Sequence, residues 1–262
     1  MSDLYLVLSC PPHGEVAPQS VAEQFGQSAA EVGMLLRNPI PRVWFADGDA
    51  ELLKAKAKTL REAGAKVRLL KGASLTVLSN RYNLHSFAFT PKGMQCTIES
   101  GRSAVVPFDW KAVTVSCRPA EETHGGAAGL LQAVRDVETR SFQSAGDSTH
   151  HGGDGDPSFV DLYFMHLPKV WRFTIRTGLT EFKGLGDRMQ PAMRQNVQAL
   201  LQMIGERFSN VRHDDRLHSP PPPGTAAVGG RAIWSVLEEI DPNLKTMDWY
   251  DLLSRLAFLS VA

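Results

Sequence analysis

Residues 159–208 constrain the fold most, because the spacing of their apolar residues changes from that of a strand to that of a helix partway along. Phe159-Val-Asp-Leu-Tyr-Phe-Met-His-Leu is an apolar and aromatic run that Pro168-Lys169 interrupts before Val170-Trp-Arg-Phe-Thr-Ile-Arg-Thr. In the second run Trp171, Phe173, Ile175 and Thr177 alternate with Val170, Arg172, Thr174 and Arg176, the period of two of a strand with one buried face. One face is expected against a core and the other in water, with Arg172 and Arg176 on the wet side and Lys169 nearby. Gly178 ends the run, and Leu179-Thr-Glu-Phe reads as a short third strand. Pro191 suits the first position of a helix, where its missing N–H costs nothing. Met193, Val197, Leu200, Leu201, Ile204 and Phe208 then fall on one helical stripe. Burying each is worth roughly 1.5–3 kcal/mol before the entropy of ordering is subtracted. The expected outcome is a helix laid on a sheet, with Trp171, Phe173 and Ile175 beneath it.

At 262 residues the chain is long enough for one large domain or two small ones. Its 43% hydrophobic and 21% charged residues are those of a soluble globular protein. The 28 Lys and Arg balance the 28 Asp and Glu, so no overall field draws in nucleic acid or anionic lipid, and no nucleic-acid partner is expected. Cys10, Cys96 and Cys117 are far apart and form no Cys-x-x-Cys pair, as reduced core thiols of a cytoplasmic protein do. The N-terminal apolar run lacks basic residues and is too short for a signal peptide or a transmembrane segment. A cytoplasmic location follows as the expectation.

Residues 4–9 form a short apolar strand that Cys10-Pro11-Pro12-His13-Gly14 stops. Residues 18–25 suit a short helix. Ser28-Ala-Ala-Glu31 is a capping box that opens a second helix, which Asn38-Pro39 ends. Pro41-Arg-Val-Trp-Phe-Ala is a strand; Asp49 can cap a helix with Leu53, Ala57 and Leu60 on one face; Gly64 closes it; and Lys66-Val-Arg-Leu-Leu is a third strand. This order of elements, with the phrase Leu60-Arg-Glu-Ala-Gly64-Ala-Lys-Val-Arg, resembles the C-terminal domain of the bacterial ribosomal stalk protein. The resemblance implies a small split domain over residues 1–71. In that family the two neighbouring helices recruit translation factors through glycines and lysines; the corresponding stretch here, Gln27-Ser-Ala-Ala-Glu-Val-Gly-Met-Leu-Leu, keeps Gly33 and has no lysine.

From residue 73 the pattern turns to strands. Tyr82 begins a partly alternating run, Thr90-Pro-Lys-Gly93 is a turn, Met94 begins a second strand, and Ala104-Val-Val-Pro-Phe and Ala112-Val-Thr-Val-Ser-Cys follow around Asp109-Trp110. This arrangement is similar to bacterial pleckstrin-homology-like or GRAM-like domains, which implies an α+β chain whose second part, residues 73–208, is a β-barrel or sandwich with a C-terminal helix. Residues 119–157, rich in Gly, Ser, Thr and Asp, read as a flexible insertion in that domain. Residues 209–230, with Pro220 to Pro223, read as a linker. Residues 231–262 read as a helical tail. Its Trp234, Leu237, Tyr250, Leu253, Leu256 and Phe258 seek burial, against the chain's own domains or against a docking partner.

The search for a reaction centre yields no catalytic residues and no cofactor. His150, His151 and Asp154, in a glycine-rich stretch, and His213, Asp215 and His218 are the spellings closest to metal ligands, and a metal-dependent enzyme is the alternative they represent. Gly184-Leu-Gly186 lacks the strand-turn-helix spacing of a dinucleotide site. Glu121-Glu122 and Glu238-Glu239 are adjacent carboxylates that diverge. Lys169, Arg172 and Arg176 form a candidate patch for an anionic lipid head group or an acidic peptide. A non-enzymatic adaptor or regulator that binds another protein is the function this sequence favours.

Overall fold

Between Tyr5 and Lys71 the secondary structure follows the order of the capping and breaking signals: β1 (Tyr5–Ser9), α1 (Pro18–Phe25), α2 (Ala29–Arg37), β2 (Val43–Asp47), α3 (Ala50–Glu62) and β3 (Val67–Lys71). These come from a computed structural model that describes residues 4–25, 28–117, 159–176, 178–217 and 249–262. The Asp49 carboxylate accepts the N–H groups of Glu51 and Leu52 and so satisfies two orphan donors of α3. Gly64 closes that helix at φ 92°, where a Cβ would also lie 2.6 Å from the Glu15 carbonyl oxygen. The strands form a three-stranded sheet in the order β2-β1-β3, with β1 antiparallel to both neighbours. Val7, Trp44 and Val67 pack on one face against Val21, Ala22, Val32, Leu53, Ala57 and Leu60 of the three helices. Leu6, Leu8 and Val43 belong to a different apolar cluster on the far side. β1 is therefore buried on both faces, which is why it reads as a continuous apolar run.

The rest of the described chain runs α4 (Ala73–Val77), β4 (Tyr82–Thr90), β5 (Gly93–Ile98), β6 (Ser103–Val106), β7 (Lys111–Cys117), β8 (Phe159–His166), β9 (Lys169–Arg176), a 3-10 helix (Lys183–Arg188), α5 (Met193–Arg207), β10 (Asn210–Leu217) and α6 (Trp249–Val261). Its strands make one seven-stranded sheet, β10-β7-β8-β9-β4-β5-β6. The strands on either side of residues 119–157 lie side by side: β7 and β8 pair antiparallel from Lys111 opposite Met165 to Cys117 opposite Phe159. β4 with β9 and β10 with β7 are parallel pairs. The sheet does not close into the expected barrel, because β10 and β6 remain its two edges.

Two local expectations are corrected. Residues 179–182 form no strand; only a single bridge joins Glu181 to Ser86, because the Thr180 hydroxyl donates to the Leu84 carbonyl and turns the chain into the 3-10 helix. Residues 210–217, expected in a linker, are the edge strand β10. Its sequence Asn-Val-Arg-His-Asp-Asp-Arg-Leu carries little apolar signal, and its buried Asp214 is instead paired with Arg216.

α5 lies on one face of the large sheet. Leu200, Met203, Ile204 and Phe208 share a core with Phe173 and Ile175, and Trp171, half-buried, packs against it. The stripe runs shorter than expected, since Met193 is 39% exposed and Asn196 is buried. Asn196 folds the approach to the helix by bonding both the N–H and the C=O of Gln190. The 3-10 helix presses so closely on β4 that a Cβ at Gly184 would lie 2.0 Å from the Phe87 carbonyl oxygen. Gly184→Ala is expected to cost about 1–3 kcal/mol through forced backbone displacement, read as a lower denaturant midpoint; an unchanged midpoint would refute this account of the contact.

α6 has apolar residues all round, a composition that demands burial on every side. Leu252 and Leu256 pack with Leu6, Leu8, Val43 and Leu75 of the N-terminal part. Leu253, Ala257 and Phe258 pack with Val113, Val115 and Tyr163 of the large sheet. The order of layers is thus helices α1–α3, small sheet, α6, large sheet and α5. At the carboxyl end of α6, Arg68, Arg212 and Lys111 donate to the carbonyls of Leu259, Val261 and Ala262 at 3.1, 2.9 and 2.9 Å, cations placed where the helix leaves acceptors unmet. Among the described residues no helix is long and apolar enough to cross a membrane.

Candidate functional site

The register of β8 and β9 sets Asp161 opposite Thr174 and Tyr163 opposite Arg172. Side chains two apart on a strand share a face, so these four project together toward α6. Arg172 is 1% exposed and Asp161 0%. Arg172 Nη2 lies 2.5 Å from Asp161 Oδ2 and 2.5 Å from Asp251 Oδ1 of α6. Asp161 also accepts from Thr174 at 2.5 Å and from Ser254 at 2.6 Å, and Ser254 pairs with the Tyr163 hydroxyl at 2.9 Å. Arg255 reaches Asp251 at 2.7 Å and the Leu75 carbonyl at 3.2 Å, and Arg172 reaches the Leu78 carbonyl at 3.4 Å. Arg81 donates to Thr174 at 2.8 Å.

Burial alone would raise the Asp161 pKa; the guanidiniums of Arg172 and Arg81, with hydrogen bonds from Arg172 and Ser254, outweigh it and hold the carboxyl below its usual value. Burial raises the Tyr163 hydroxyl, which stays protonated. Apart from Arg81, which is partly exposed, these groups are enclosed between sheet and helix, so what the cluster can do is fix α6 in register, the best-attested role of buried charge.

The expected wet face of β9 is therefore not wet. Arg172 is covered by α6, and only Lys169 and Arg176 are exposed. Those two stand seven residues apart, roughly 23 Å along a strand, and make no patch with Arg172. The tail residues Leu253, Leu256 and Phe258 are buried against the chain's own sheets, with Phe258 stacked 4.3 Å from Tyr163. They are not open to a partner, because α6 covers two apolar faces at once. Tyr250 lies in α6, and its side chain, like Trp234 and Leu237, lies outside the described residues. So do His150, His151, Asp154 and His218. His213 and Asp215 are exposed on β10, with His213 Nδ1 at 2.8 Å from the Thr114 hydroxyl. Among the described residues no three His, Cys, Asp or Glu come together as a metal site would need. Cys96 and Cys117 are buried, and burial pushes the Cys96 thiol up to about 12. The signal for the buried cluster was present in the sequence: Asp161 and Arg172 stand inside apolar strands, and Asp251, Ser254 and Arg255 share one side of an apolar helix.

One open concavity of about 540 Å³ lies between the loop 11–16, Pro18 and the carboxyl end of α2, where Gly33, Leu36, Arg37, Asn38 and Pro39 line it. Its loop is pinned at two points. The Gly14 N–H donates to the Gly64 carbonyl at 3.2 Å, and the Lys66 N–H donates to His13 Nδ1 at 3.1 Å. Arg216 of β10 ties both rims, donating to the carbonyls of Pro11 at 3.0 Å and Pro39 at 3.4 Å. Burial and then the Lys66 charge lower the His13 pKa, so the ring is neutral near pH 7. Arg37 Nε donates to the Gly33 carbonyl at 3.0 Å. Sequence reasoning passed over this cleft because its walls come from elements that meet only in the fold; the proline cluster at 11, 12, 18 and 39 was the one available sign.

Fold and site together define an α+β protein of two sheets joined by a central helix, with a proline-walled cleft on the smaller sheet's helices. Compared with protein-family models, curated proteins and solved structures, the chain shows no significant match to any of them.

Proposed function

We propose that the protein is a non-enzymatic adaptor that binds another protein, and that the cleft between loop 11–16 and α1–α2 is its binding surface. The observation that carries this reading is the construction of the cleft. Prolines, which lose little entropy on contact, wall a concavity that three separate tethers hold open; a preformed surface binds without a large ordering cost. The resemblance of residues 1–71 to the stalk protein's C-terminal domain is taken for the fold alone, since the stretch that lines the cleft keeps Gly33 but none of that family's recruiting lysines. Residues 73–208 are read, on their own resemblance, as a pleckstrin-homology-like scaffold, and the setting as cytoplasmic.

A Cβ at Gly33 would lie 3.3 Å from Arg37 Nη2 and 3.7 Å from Pro18, so a large side chain there fills the mouth of the cleft. Affinity capture with the full chain and with Gly33→Trp tests the reading. A protein retained by the wild type and lost by the variant, at matched thermal stability, is the expected result; identical captured sets would overturn it.

A further inference from the structure

We infer that His13 is an acid-sensitive latch on this cleft: a proton taken up by its ring releases the loop 11–16 from β3, an inference whose bearing on binding rests on the adaptor reading above. The latch exists because the small sheet runs out of backbone partners at this point. β1 ends at Ser9, and its last rung toward β3 is the Cys10 N–H, which donates to the Lys66 carbonyl at 2.8 Å. Pro11 and Pro12 then turn the chain away, so the Lys66 N–H meets no strand acceptor. The His13 ring supplies one, with Nδ1 at 3.1 Å.

A neutral ring accepts at Nδ1 with its proton on Nε2. Nε2 is enclosed and has no hydrogen-bond partner among the described residues, and Trp44 of β2 lies beside the ring, 6.0 Å between centroids. A protonated ring is a donor at both nitrogens. Nδ1–H would then face the Lys66 N–H, donor against donor, and the charge would sit in an enclosed space with no acceptor at Nε2. The charged groups around the ring do not compensate. Lys66 of β3 is the charge that acts on it, and it opposes protonation. β2 presents the uncharged Trp44, Arg37 of α2 and Glu15 of the same loop line the cleft with it, and Arg216 of β10 holds the Pro11 carbonyl two residues away.

The charged ring therefore turns out to water and carries its loop with it. The Gly14 N–H to Gly64 carbonyl contact, at 3.2 Å, is the adjoining tie to the same turn, while Arg216 keeps Pro11 in place. What moves is the segment 12–16, one wall of the cleft. Burial, then the Lys66 charge, hold the pKa of the ring below its ordinary 6.5. The latch is thus closed above pH 6.5 and is lost as pH falls through the lower folded value. With that wall released the surface is no longer preformed, and binding carries an added ordering cost.

NMR on the full chain tests this, with the His13 ring signal and the exchange of the Lys66 amide, corrected for its intrinsic pH dependence, followed from about pH 8 to about pH 4.5. The ring should titrate with a midpoint below 6.5. At the same midpoint the Lys66 amide should lose about fivefold or more of its protection, as loss of an ordinary hydrogen bond implies. His13→Asn, which offers an oxygen acceptor near the place of Nδ1, and His13→Phe, which offers none, do not titrate, and neither should show the acid step. Lys66 protection that stays constant while the ring titrates, or that falls alike in the wild type and His13→Asn, would overturn the latch. So would a ring midpoint at or above 6.5. These readings are made on the free protein, so their failure leaves the adaptor reading intact, and a capture experiment that fails as described above leaves the latch standing.

Discussion

Replacing Asp161 by Asn is expected to lower the unfolding free energy by about 3–5 kcal/mol, the range for removing one partner of a buried ion pair. Asp161 receives Arg172, Thr174 and Ser254 at once. Its loss leaves the Arg172 guanidinium, 1% exposed, with Asp251 as the remaining carboxylate within ion-pair distance. Equilibrium denaturation would read the change, and a loss below about 1 kcal/mol, the size of an ordinary hydrogen bond, would contradict the role given to this residue. A double variant with Arg172→Met should lose less than the two single changes added together, because the second change removes the charge that the first stranded. Acid gives an independent check. The folded Asp161 carboxyl titrates below its ordinary value of about 3.9, so its contribution is present above about pH 4 and is lost as pH falls through the folded pKa. The wild type should therefore lose stability more steeply than Asp161→Asn as pH falls below about 4.

Removing residues 249–262 should have a larger effect still. Leu252, Leu253, Leu256 and Phe258 are each at most 3% exposed, and burying such side chains contributes together about 6–12 kcal/mol before entropy. That rivals the whole stability of a typical domain, about 5–15 kcal/mol. The shortened chain should bind a hydrophobic dye and lose its sharp thermal transition, because apolar faces of both sheets become uncovered. The milder Leu256→Ala should cost about 2–5 kcal/mol. A shortened chain that melts like the wild type would show that α6 is dispensable and would refute the layer order as an energetic description.

These two predictions concern residues whose role was only half visible in the sequence. Period two along residues 170–177 correctly separates Phe173 and Ile175 from Arg172 and Thr174, yet periodicity says only that two faces differ. It does not say that the polar face meets water. Here a helix brings Asp251, Ser254 and Arg255 to that face and buries it, and the complement lies about eighty residues downstream. β1 to β3, α3 with its Asp49 cap, and the core of α5 were readable because their signals are local. β10 was not, since a parallel edge strand held by Asp214, Arg216 and His213 has no apolar alternation to detect. The cleft was hidden for a similar reason: Pro11, Gly33 and Pro39 acquire their shared meaning only when Arg216, from a distant strand, draws two of them together.

The position of α6 also has a kinetic meaning. It follows every strand of both sheets in the chain, and the slot it fills has no walls until both sheets exist. Until α6 docks, Leu6, Leu8 and Val43 on one side and Val113 and Val115 on the other have no cover, and uncovered apolar surface of this kind is what aggregates or engages chaperones. Docking of this one helix covers both sides at once.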